Sequence, residues 1–306
     1  MPTMNLTPTL TPEERRLALR EDIAAPGVSI MPGVFDGFSA KLVEAAGYRS
    51  AFVTGSGVAE SRYGVPDVGI VGYAESLDGA AMMAQRTGLA LVADGDTGYG
   101  SPVNVVYTVR GFENAGLSGL LIEDQVWPKR CGHMSGKETI PLREAAMKIR
   151  AAVEARRDPN FLILARTDAV AVDGLADAVE RAKAYAAEGA DLLFADALMS
   201  EADMETFAGS VDVPVVVNMG FGIRARRTTP LVTPGRLAEL GVAVAIYPRM
   251  LTAAAVTGMH KALEVFRGSH DDSAVPDRPD LLTSFEDLQA LVGLDETREM
   301  EERYAV

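Results

Sequence analysis

The sequence predicts an α/β protein with the fold of a (β/α)8 TIM barrel, and three observations lead to this prediction. Eight short apolar runs alternate with amphipathic runs along most of the chain. No low-complexity linker divides this pattern. The chain has 306 residues, of which 48% are hydrophobic, and a barrel typically needs about 250 residues. An open doubly wound sheet fits the same alternation, but the polar strand ends described below favour the barrel.

The eight apolar runs are the predicted strands. Several are rich in valine, isoleucine and leucine, and their apolar residues are continuous and do not alternate with polar ones. Continuous apolarity indicates strands that are buried on both faces, as in a parallel sheet. The predicted strands cover 28–31, 50–53, 89–93, 119–122, 161–165, 191–195, 214–218 and 242–247.

An amphipathic run with helical periodicity follows each predicted strand. Most of these runs end at a glycine, the residue that commonly adopts the left-handed conformation beyond a helix C-terminus. Thr233 and Pro234 predict an N-cap and the first residue of a helix. Residues 11–24 begin with a capping box, Thr11 and Glu14, and predict a further helix before the first strand.

The C-terminal segment, 269–306, differs in composition from the repeating units. It begins with a polar, proline-containing stretch and then offers a second capping box, Thr283 and Glu286, followed by a short helix. Such a tail either folds back on the barrel or reaches a neighbouring subunit. We therefore assign 1–268 to the barrel with its N-terminal helical arm, and 269–306 to a linker and helical tail of the same structural domain.

Charge and cysteine content exclude several functions. The formal net charge is −14, which predicts repulsion from nucleic acids and anionic lipids. No apolar run is long enough to span a membrane, and the N-terminus lacks the features of a secretory signal. The single cysteine, Cys131, cannot form an internal disulfide, which favours a reducing compartment. We expect a cytoplasmic protein without nucleic-acid or membrane partners; an anionic small substrate then needs local cations or a bound metal.

Polar and ionisable side chains stand where the predicted strands end. In a barrel these ends meet at one rim, which carries the active site. Taken singly, each side chain can stabilise its own turn or an ion pair, but their joint placement predicts a divalent-cation site. Oxygen ligands favour Mg²⁺ or Mn²⁺ over zinc. The turn 54–57, TGSG, offers N–H groups and hydroxyls to a carboxylate. The strand-end residues are Asp94, Asp96, Glu123, Asp124, Arg166, Asp168, Asp196 and Asn218.

A long loop, 125–139, follows the fourth predicted strand and contains Cys131. Its length exceeds that of an ordinary βα connection, so we predict a lid over the site. Lys129, Arg130 and His133 flank the thiol, and such cations lower a cysteine pKa. A nucleophilic thiol would leave the metal carboxylates without a purpose. We therefore interpret Cys131 as a group that transfers a proton to a carbanion. Without the neighbouring site residues, a single cysteine would indicate only a small buried hydrophobic side chain.

Several motifs together resemble the isocitrate lyase / phosphoenolpyruvate mutase superfamily. They are PKRCGH after IEDQ, ADGDTGYG, GVPDVG, TGSG and ARTDA. The resemblance extends from about Met31 to His260. It is closest to the short-chain members, which include 2-methylisocitrate lyase, 2,3-dimethylmalate lyase, oxaloacetate acetylhydrolase and carboxyphosphonoenolpyruvate mutase. It implies a barrel whose last helix is exchanged between subunits of a homotetramer, a dimer of dimers.

The resemblance also implies roles for individual residues. It implies Mg²⁺ held by Asp94, with the other acidic residues of the site acting largely through water. In the lyases a retro-aldol cleavage releases an enolate-like fragment; the thiol matching Cys131 exchanges a proton with it, and Arg166 helps to neutralise its charge. The expected site residues are Cys131, Arg166, His133 and Lys129 for catalysis, Thr54, Gly55, Ser56, Gly132, Arg166, Asp196 and Asn218 for substrate binding, and Asp94, Asp96, Glu123 and Asp67 for the metal.

Two features depart from the lyase pattern. The sixth strand ends at Asp196, where the lyases usually carry a longer glutamate. The segment after Asn218 looks longer than in the lyases and contains Arg224, Arg226 and Arg227. These arginines are either solvated or engaged in ion pairs between subunits, or one of them reaches the pocket and binds an additional anionic group.

We therefore expect a Mg²⁺-dependent carbon–carbon lyase that cleaves a 2-hydroxy di- or tricarboxylate of the 2-methylisocitrate or methylmalate type. An oxaloacetate acetylhydrolase and a carboxyphosphonoenolpyruvate-type phosphonomutase remain alternatives, because the same metal and lid motifs serve those reactions. A non-catalytic barrel is a third alternative. Against it stand the intact Cys131, Asp94, Asp96, Glu123 and Arg166.

Overall fold

The computed structural model describes residues 10–132, 134–220, 229–269 and 277–305. Its eight parallel strands pair in chain order and form a closed barrel, which confirms the predicted (β/α)8 fold. The strands are β1 Ser29–Val34, β2 Ser50–Val53, β3 Ala90–Asp94, β4 Gly119–Glu123, β5 Leu162–Thr167, β6 Leu192–Ala195, β7 Val215–Asn218 and β8 Val242–Tyr247. Pairing of β1 with β8 closes the sheet.

Helices surround the barrel and flank it at both ends of the chain. A single helical turn, Gly55–Val58, runs on into a π-helical turn, Ala59–Tyr63, and a 3₁₀ turn, Ala169–Ala171, follows β5. The helices are α1 Pro12–Ala24, α2 Gly37–Ala45, α3 Gly55–Val58, α4 Tyr73–Arg86, α5 Pro102–Asn114, α6 Leu142–Ala155, α7 Leu175–Ala187, α8 Glu201–Ala208, α9 Pro234–Glu239, α10 Met250–Gly268, α11 Phe285–Leu291 and α12 Leu294–Tyr304.

The helix caps follow the sequence, with one exception in the tail. Thr11 forms the expected capping box with Glu14, and Thr233 accepts a hydrogen bond from a backbone N–H at the start of α9. The predicted capping box at Thr283 is wrong by one residue. Ser284 is the N-cap of α11, and its hydroxyl accepts from Asp287 N at 3.0 Å. The helix starts at Phe285, and so the side chain that can reach back to its third N–H is Ser284, not Thr283.

Helix α1 closes the N-terminal end of the barrel. Leu19 and Ile23 pack into the barrel interior with strand residues such as Phe52. Arg15, which is buried, donates from Nη1 to three carbonyl oxygens next to α4 and β3, at 3.1 to 3.2 Å. Arg16 donates to Leu117 O, just before β4, at 2.9 Å. These hydrogen bonds fix α1 across the N-terminal end of the barrel. The opposite end, where the strands have their C-termini, is therefore the end that can hold a site.

The last three helices, α10 to α12, form the C-terminal part of the chain, and α10 exposes an apolar stripe. Val256, Met259, Leu263 and Phe266 form a stripe along α10 and are exposed in this chain. Helix α11 packs against α2, and α12, which was not predicted individually, follows it.

Within the described part of the chain, no helix combines the length and apolarity needed to cross a membrane.

Candidate active site

A cavity lies at the C-terminal ends of the strands. Most of the predicted site residues line it, together with hydrophobic residues from β2, β4, β6 and β8. The predicted residues along its wall are Thr54, Ser56, Asp67, Asp94, Lys129, Cys131, Gly132, Arg166, Asp196 and Asn218. Gly55, Asp96 and Glu123 stand behind this wall, and His133 lies outside the described residues.

The turn after β2 presents two hydroxyls to the cavity. Thr54 Oγ1 and Ser56 Oγ lie 3.0 Å apart, and Thr54 Oγ1 accepts from Gly57 N at 3.3 Å. Gly55 does not line the cavity. A Cβ added at Gly55 would come within 2.8 Å of Asp94 Oδ2, so glycine here lets the turn approach that carboxylate closely.

Four carboxylates and one lysine occupy the rim near β3 and β4. Asp94 ends β3, and its Oδ1 accepts from Asp96 N at 3.0 Å. The ammonium of Lys129 lies 2.6 Å from Asp96 Oδ1 and also pairs with Asp67. Glu123 ends β4; its Oε2 lies 3.3 Å from an Arg166 nitrogen. The other oxygen, Glu123 Oε1, is buried and has no hydrogen-bond partner among the described residues.

Burial dominates the electrostatics of this rim. Burial, reinforced by the Asp94 and Asp67 charges, raises the pKa of Asp96 to about 7 against the opposing effect of Lys129. Burial also raises the pKa of Glu123 well above its ordinary value, with Arg166 opposing. For Lys129, burial disfavours the ammonium, but the surrounding carboxylates, Asp96 foremost, prevail and raise its pKa. The rim is thus an acidic pocket with incomplete charge compensation.

These acidic residues could hold a divalent cation with few direct protein ligands. Within the described ranges, no three carboxylate, histidine or cysteine side chains form a compact metal-binding cluster. Lys129 stands between Asp67 and Asp96. Asp94 is the carboxylate of this group that is partly exposed and lines the cavity. Mg²⁺ commonly binds through one or two carboxylates and keeps several waters. The unpaired Glu123 Oε1 fits a water ligand of such an ion.

A second charge network lies beneath Arg166. Arg166 makes two hydrogen bonds to Asp168, each of 2.9 Å. Lys137 Nζ lies 2.7 Å from Asp168 Oδ1, and Asp196 Oδ2 is 3.4 Å from Arg166 and 3.5 Å from Lys137. Burial raises the pKa of Asp168, but Arg166 and Lys137 outweigh burial and lower it. Lys137 was not among the predicted site residues, although it is the second lysine of the predicted lid and lies near its end.

The loop after β4 is held over the cavity at several points. Gln125 and Thr139 pair across its base, and both side-chain groups of Gln125 bond the backbone of Arg130 at 2.9 Å. Lys137 donates to Gly132 O at 2.8 Å, and Cys131 N donates to Asp67 O at 3.1 Å. We call residues 125–139 the lid. A Cβ at Gly132 would collide with Asp196 Oδ2, so this glycine allows the lid to approach β6.

The cation beside Cys131 is Arg249, which was not among the predicted site residues. Lys129 is engaged by the rim carboxylates and Arg130 is exposed. Arg249, two residues beyond β8, places Nη1 4.0 Å from Cys131 Sγ. Its Nη2 lies 2.7 and 2.9 Å from the two carboxylate oxygens of Glu60. Its position in the sequence could have indicated this role, because Arg249 follows the end of a predicted strand, as the other site residues do.

Two further expectations concern the departures from the lyase pattern. Asp196 lines the cavity just beyond β6, and Asn218 lines it at the end of β7. Arg224, Arg226 and Arg227 lie outside the described residues, so their predicted contact with the pocket stays a prediction.

Comparisons with known proteins support a common origin. A model of the phosphoenolpyruvate phosphomutase family matches residues 19–267. The chain is 42% identical over 255 residues to probable 2-methylisocitrate lyase 2 of Corynebacterium glutamicum, covering 83% of this chain and 81% of the relative. It is 35% identical over 287 residues to 2,3-dimethylmalate lyase of Eubacterium barkeri, covering 94% and 97%.

Solved structures agree with these matches. Oxaloacetate acetylhydrolase in complex with 3,3-difluorooxalacetate superposes with a TM-score of 0.87 at 30% identity, covering 96% of this chain and 98% of the other. Phosphonopyruvate hydrolase with oxalate and Mg²⁺ gives 0.83 at 29%, covering 97% and 100%. A 2,3-dimethylmalate lyase described as a PEP mutase/isocitrate lyase superfamily member gives 0.86 at 29%, covering 97% of each. The chain therefore belongs to the phosphoenolpyruvate phosphomutase family, within the PEP mutase/isocitrate lyase superfamily.

Proposed function

We propose that the protein is a Mg²⁺-dependent carbon–carbon lyase. Its substrate is a 2-hydroxy di- or tricarboxylate of the 2-methylisocitrate or methylmalate type, and its products are a 2-oxo acid and a second carboxylic acid. The observation that carries the proposal is that Cys131 and Asp94 line one cavity with the hydroxyls of Thr54 and Ser56. A proton donor and a cation-binding carboxylate therefore face the same substrate. The relatives named as 2-methylisocitrate and 2,3-dimethylmalate lyases support the same reaction class.

The proposed cleavage assigns separate tasks to the two sides of the cavity. The substrate hydroxyl loses its proton to a base as the bond between C2 and C3 breaks, and C2 becomes the carbonyl carbon of the 2-oxo acid. The bonding electrons move onto C3 and its carboxylate. Cys131 gives its Sγ–H proton to C3, and the base returns a proton to the thiolate through solvent. Thr54 and Ser56 orient the 2-oxo-acid fragment.

The rim carboxylates are proposed to hold the metal. Asp94 would bind the ion, while Asp67, Asp96 and Glu123 would order water around it; Mn²⁺ can take the same place. When bound, the ion supplies positive charge next to the oxygens of the substrate. The all-oxygen donor set and the buried, unpaired Glu123 Oε1 support this assignment.

A specific observation favours one alternative, an oxaloacetate acetylhydrolase. A solved enzyme of that name superposes on this chain with a TM-score of 0.87. The two reactions differ in products, since the hydrolase forms oxalate and acetate and the lyase forms pyruvate or glyoxylate with a second acid. A phosphonomutase would form a phosphonate, and a non-catalytic barrel would form none of these.

The deciding experiment is a product analysis. The protein with Mg²⁺ is incubated separately with 2-methylisocitrate, isocitrate, 2,3-dimethylmalate, oxaloacetate and phosphoenolpyruvate, and the products are separated by anion-exchange chromatography. We expect 2-oxo acid from a 2-hydroxy acid. Oxalate from oxaloacetate alone would replace the proposal with the hydrolase.

We also propose that the protein is a cytoplasmic homotetramer, a dimer of dimers, in which α10 packs on a neighbouring subunit. The support is the stripe on α10, where Leu263 is 64% and Met259 58% exposed in the single chain. Burying such a side chain contributes about 1.5–3 kcal/mol. Sedimentation equilibrium should give four subunits, and Met259→Glu with Leu263→Glu should give smaller species.

A further inference from the structure

We infer that Arg249 binds the carboxylate attached to the carbon that Cys131 protonates. The inference rests on the proposed lyase reaction and assigns a residue to the second product. Its basis is the position of Arg249 on the cavity wall, with Nη1 4.0 Å from Cys131 Sγ.

The charge balance of the cavity separates Arg249 from the other two cations on its wall. Lys129 is neutralised by Asp67 and Asp96. Arg166 is surrounded by Glu123, Asp168 and Asp196. Among the described contacts, Arg249 has a single carboxylate partner, Glu60, which it meets through Nη2. The Nη1 edge therefore remains directed toward the thiol and the cavity.

The reaction places a carboxylate next to this edge. The carbon that receives the proton must contact Cys131 Sγ, and it carries a carboxylate whose oxygens are two bonds away. A charge-assisted N–H···O bond needs about 2.7–2.9 Å. With Nη1 4.0 Å from Sγ, an oxygen two bonds from that carbon falls within reach.

The contact should strengthen as the reaction proceeds. When the bond between C2 and C3 breaks, the electron pair spreads from C3 into its carboxylate, whose negative charge increases. A cation fixed at that point stabilises the transition state more than the bound substrate. Glu60, in the π-helical turn after α3, holds Nη2 and so fixes the guanidinium between β8 and that turn.

The test uses Arg249→Gln and Arg249→Lys in the full-length protein. The matched control is Arg150→Gln, which removes an exposed guanidinium that is paired with Glu154 at 2.8 Å. The first readout is independent of turnover. Cys131 is the sole cysteine, so its alkylation by iodoacetamide can be followed without interference, and ligands that occupy the cavity slow it.

Two probes distinguish the two halves of the cavity. Propionate represents the acid that forms at C3, and oxalate, present in a solved relative, represents the 2-oxo acid; both are used with Mg²⁺. Arg249→Gln should raise the propionate concentration that halves the alkylation rate roughly 10- to 100-fold, because one charge-assisted hydrogen bond is lost. The oxalate concentration that halves the alkylation rate should change by no more than about twofold. Arg249→Lys should recover part of the propionate effect, and the Arg150 control should match the unmodified protein.

Turnover provides the second readout. Arg249→Gln should lower kcat/KM for every 2-hydroxy acid that the unmodified protein cleaves, including dicarboxylates. Unchanged propionate protection overturns the inference, and so does a loss confined to tricarboxylates, which would place a more distant carboxylate at Arg249. If Arg249→Gln does not fold, Arg249→Met replaces it, and unaltered propionate protection and turnover in that variant overturn the inference equally. If the unmodified protein cleaves none of the substrates, the proposed lyase reaction fails, while the propionate and oxalate comparison still decides the role of Arg249.

Discussion

The ammonium of Lys129 lies 2.6 Å from Asp96 Oδ1 and pairs with Asp67 as well. Lys129 belongs to the lid, whereas the two carboxylates belong to the rim, so this cluster ties the lid to the acidic side of the cavity. The Lys129 side chain is 3% exposed, and a buried ammonium requires such partners. Opening of the lid would therefore remove a positive charge from the rim, and lid position and rim charge are coupled.

The first prediction concerns the metal. Exhaustive chelation should abolish 2-oxo acid release, and added Mg²⁺ or Mn²⁺ should restore it, because the rim carboxylates outnumber the cations beside them. Mg²⁺ should also raise the Tm of the chelated protein, since a ligand of the folded state alone stabilises it. Asp94→Asn should lose both responses. Full activity in metal-free protein would contradict the site.

The second prediction concerns the thiol. Cys131→Ser should fold normally and lose turnover by about 10²–10⁴-fold, the usual contribution of a positioned acid or base. Its Tm should barely change, because the side chain is only partly buried in the lid. A serine variant with full activity would mean that the thiol only packs.

The third prediction concerns Lys137 as a positioning residue. Lys137 joins Gly132 O of the lid to Asp168 at 2.8 and 2.7 Å. Lys137→Met should loosen the lid, so Cys131 should be alkylated faster and kcat should fall more than KM rises. Lys183→Met, on the exposed face of α7, is the control and should change neither. Unaltered alkylation in Lys137→Met would show that the lid is held without this bridge.

The fourth prediction concerns pH and Asp168. Arg166 and Lys137 lower its pKa in the folded protein, whereas an unfolded aspartate has a pKa of about 3.9. A depressed folded pKa contributes stability above the unfolded value, and that stability is lost as pH falls through the folded value. The unfolding free energy of the unmodified protein should thus exceed that of Asp168→Asn at pH 7, and the difference should shrink below about pH 4. Urea titrations at several pH values measure it, and a constant difference would refute the role of the charge.

The barrel could be predicted because its signals are local. Each strand is a short apolar run, and the capping box at Thr11 and the N-cap at Thr233 depend on neighbours a few residues away. The acidic strand ends could be placed together because the carboxyl ends of barrel strands meet at one rim.

The cation beside Cys131 could not be predicted in this way. Arg249 and Glu60 are separated by 189 positions, and Arg249 and Cys131 by 118. Nearness in sequence suggested Lys129 and Arg130 instead, but Lys129 turns to the rim carboxylates and Arg130 to the surface. Which side chain turns into a cavity depends on charges that the fold brings together.

The last prediction concerns specificity at the sixth and seventh strands. Asp196 is already packed against the Cα of Gly132, and its Oδ2 lies 3.4 Å from Arg166. Asp196→Glu would push the carboxylate one methylene further into the cavity, so it should lower kcat/KM most for the bulkiest substrates. We predict that the preferred substrate differs from isocitrate and 2-methylisocitrate in the group that faces this side.

The arginines after β7 are tested with the same substrates. If Arg224, Arg226 or Arg227 binds an anionic group of the substrate, its replacement by alanine should cost roughly 10- to 100-fold in kcat/KM, since a hydrogen bond to a charged group contributes about 1.5–3 kcal/mol. Substrates without that group should be cleaved at unchanged rates, which serves as the internal control. The idea fails if 2-methylisocitrate is the best substrate of the unmodified protein and no arginine variant changes the order of preference, because these arginines would then act only at the surface.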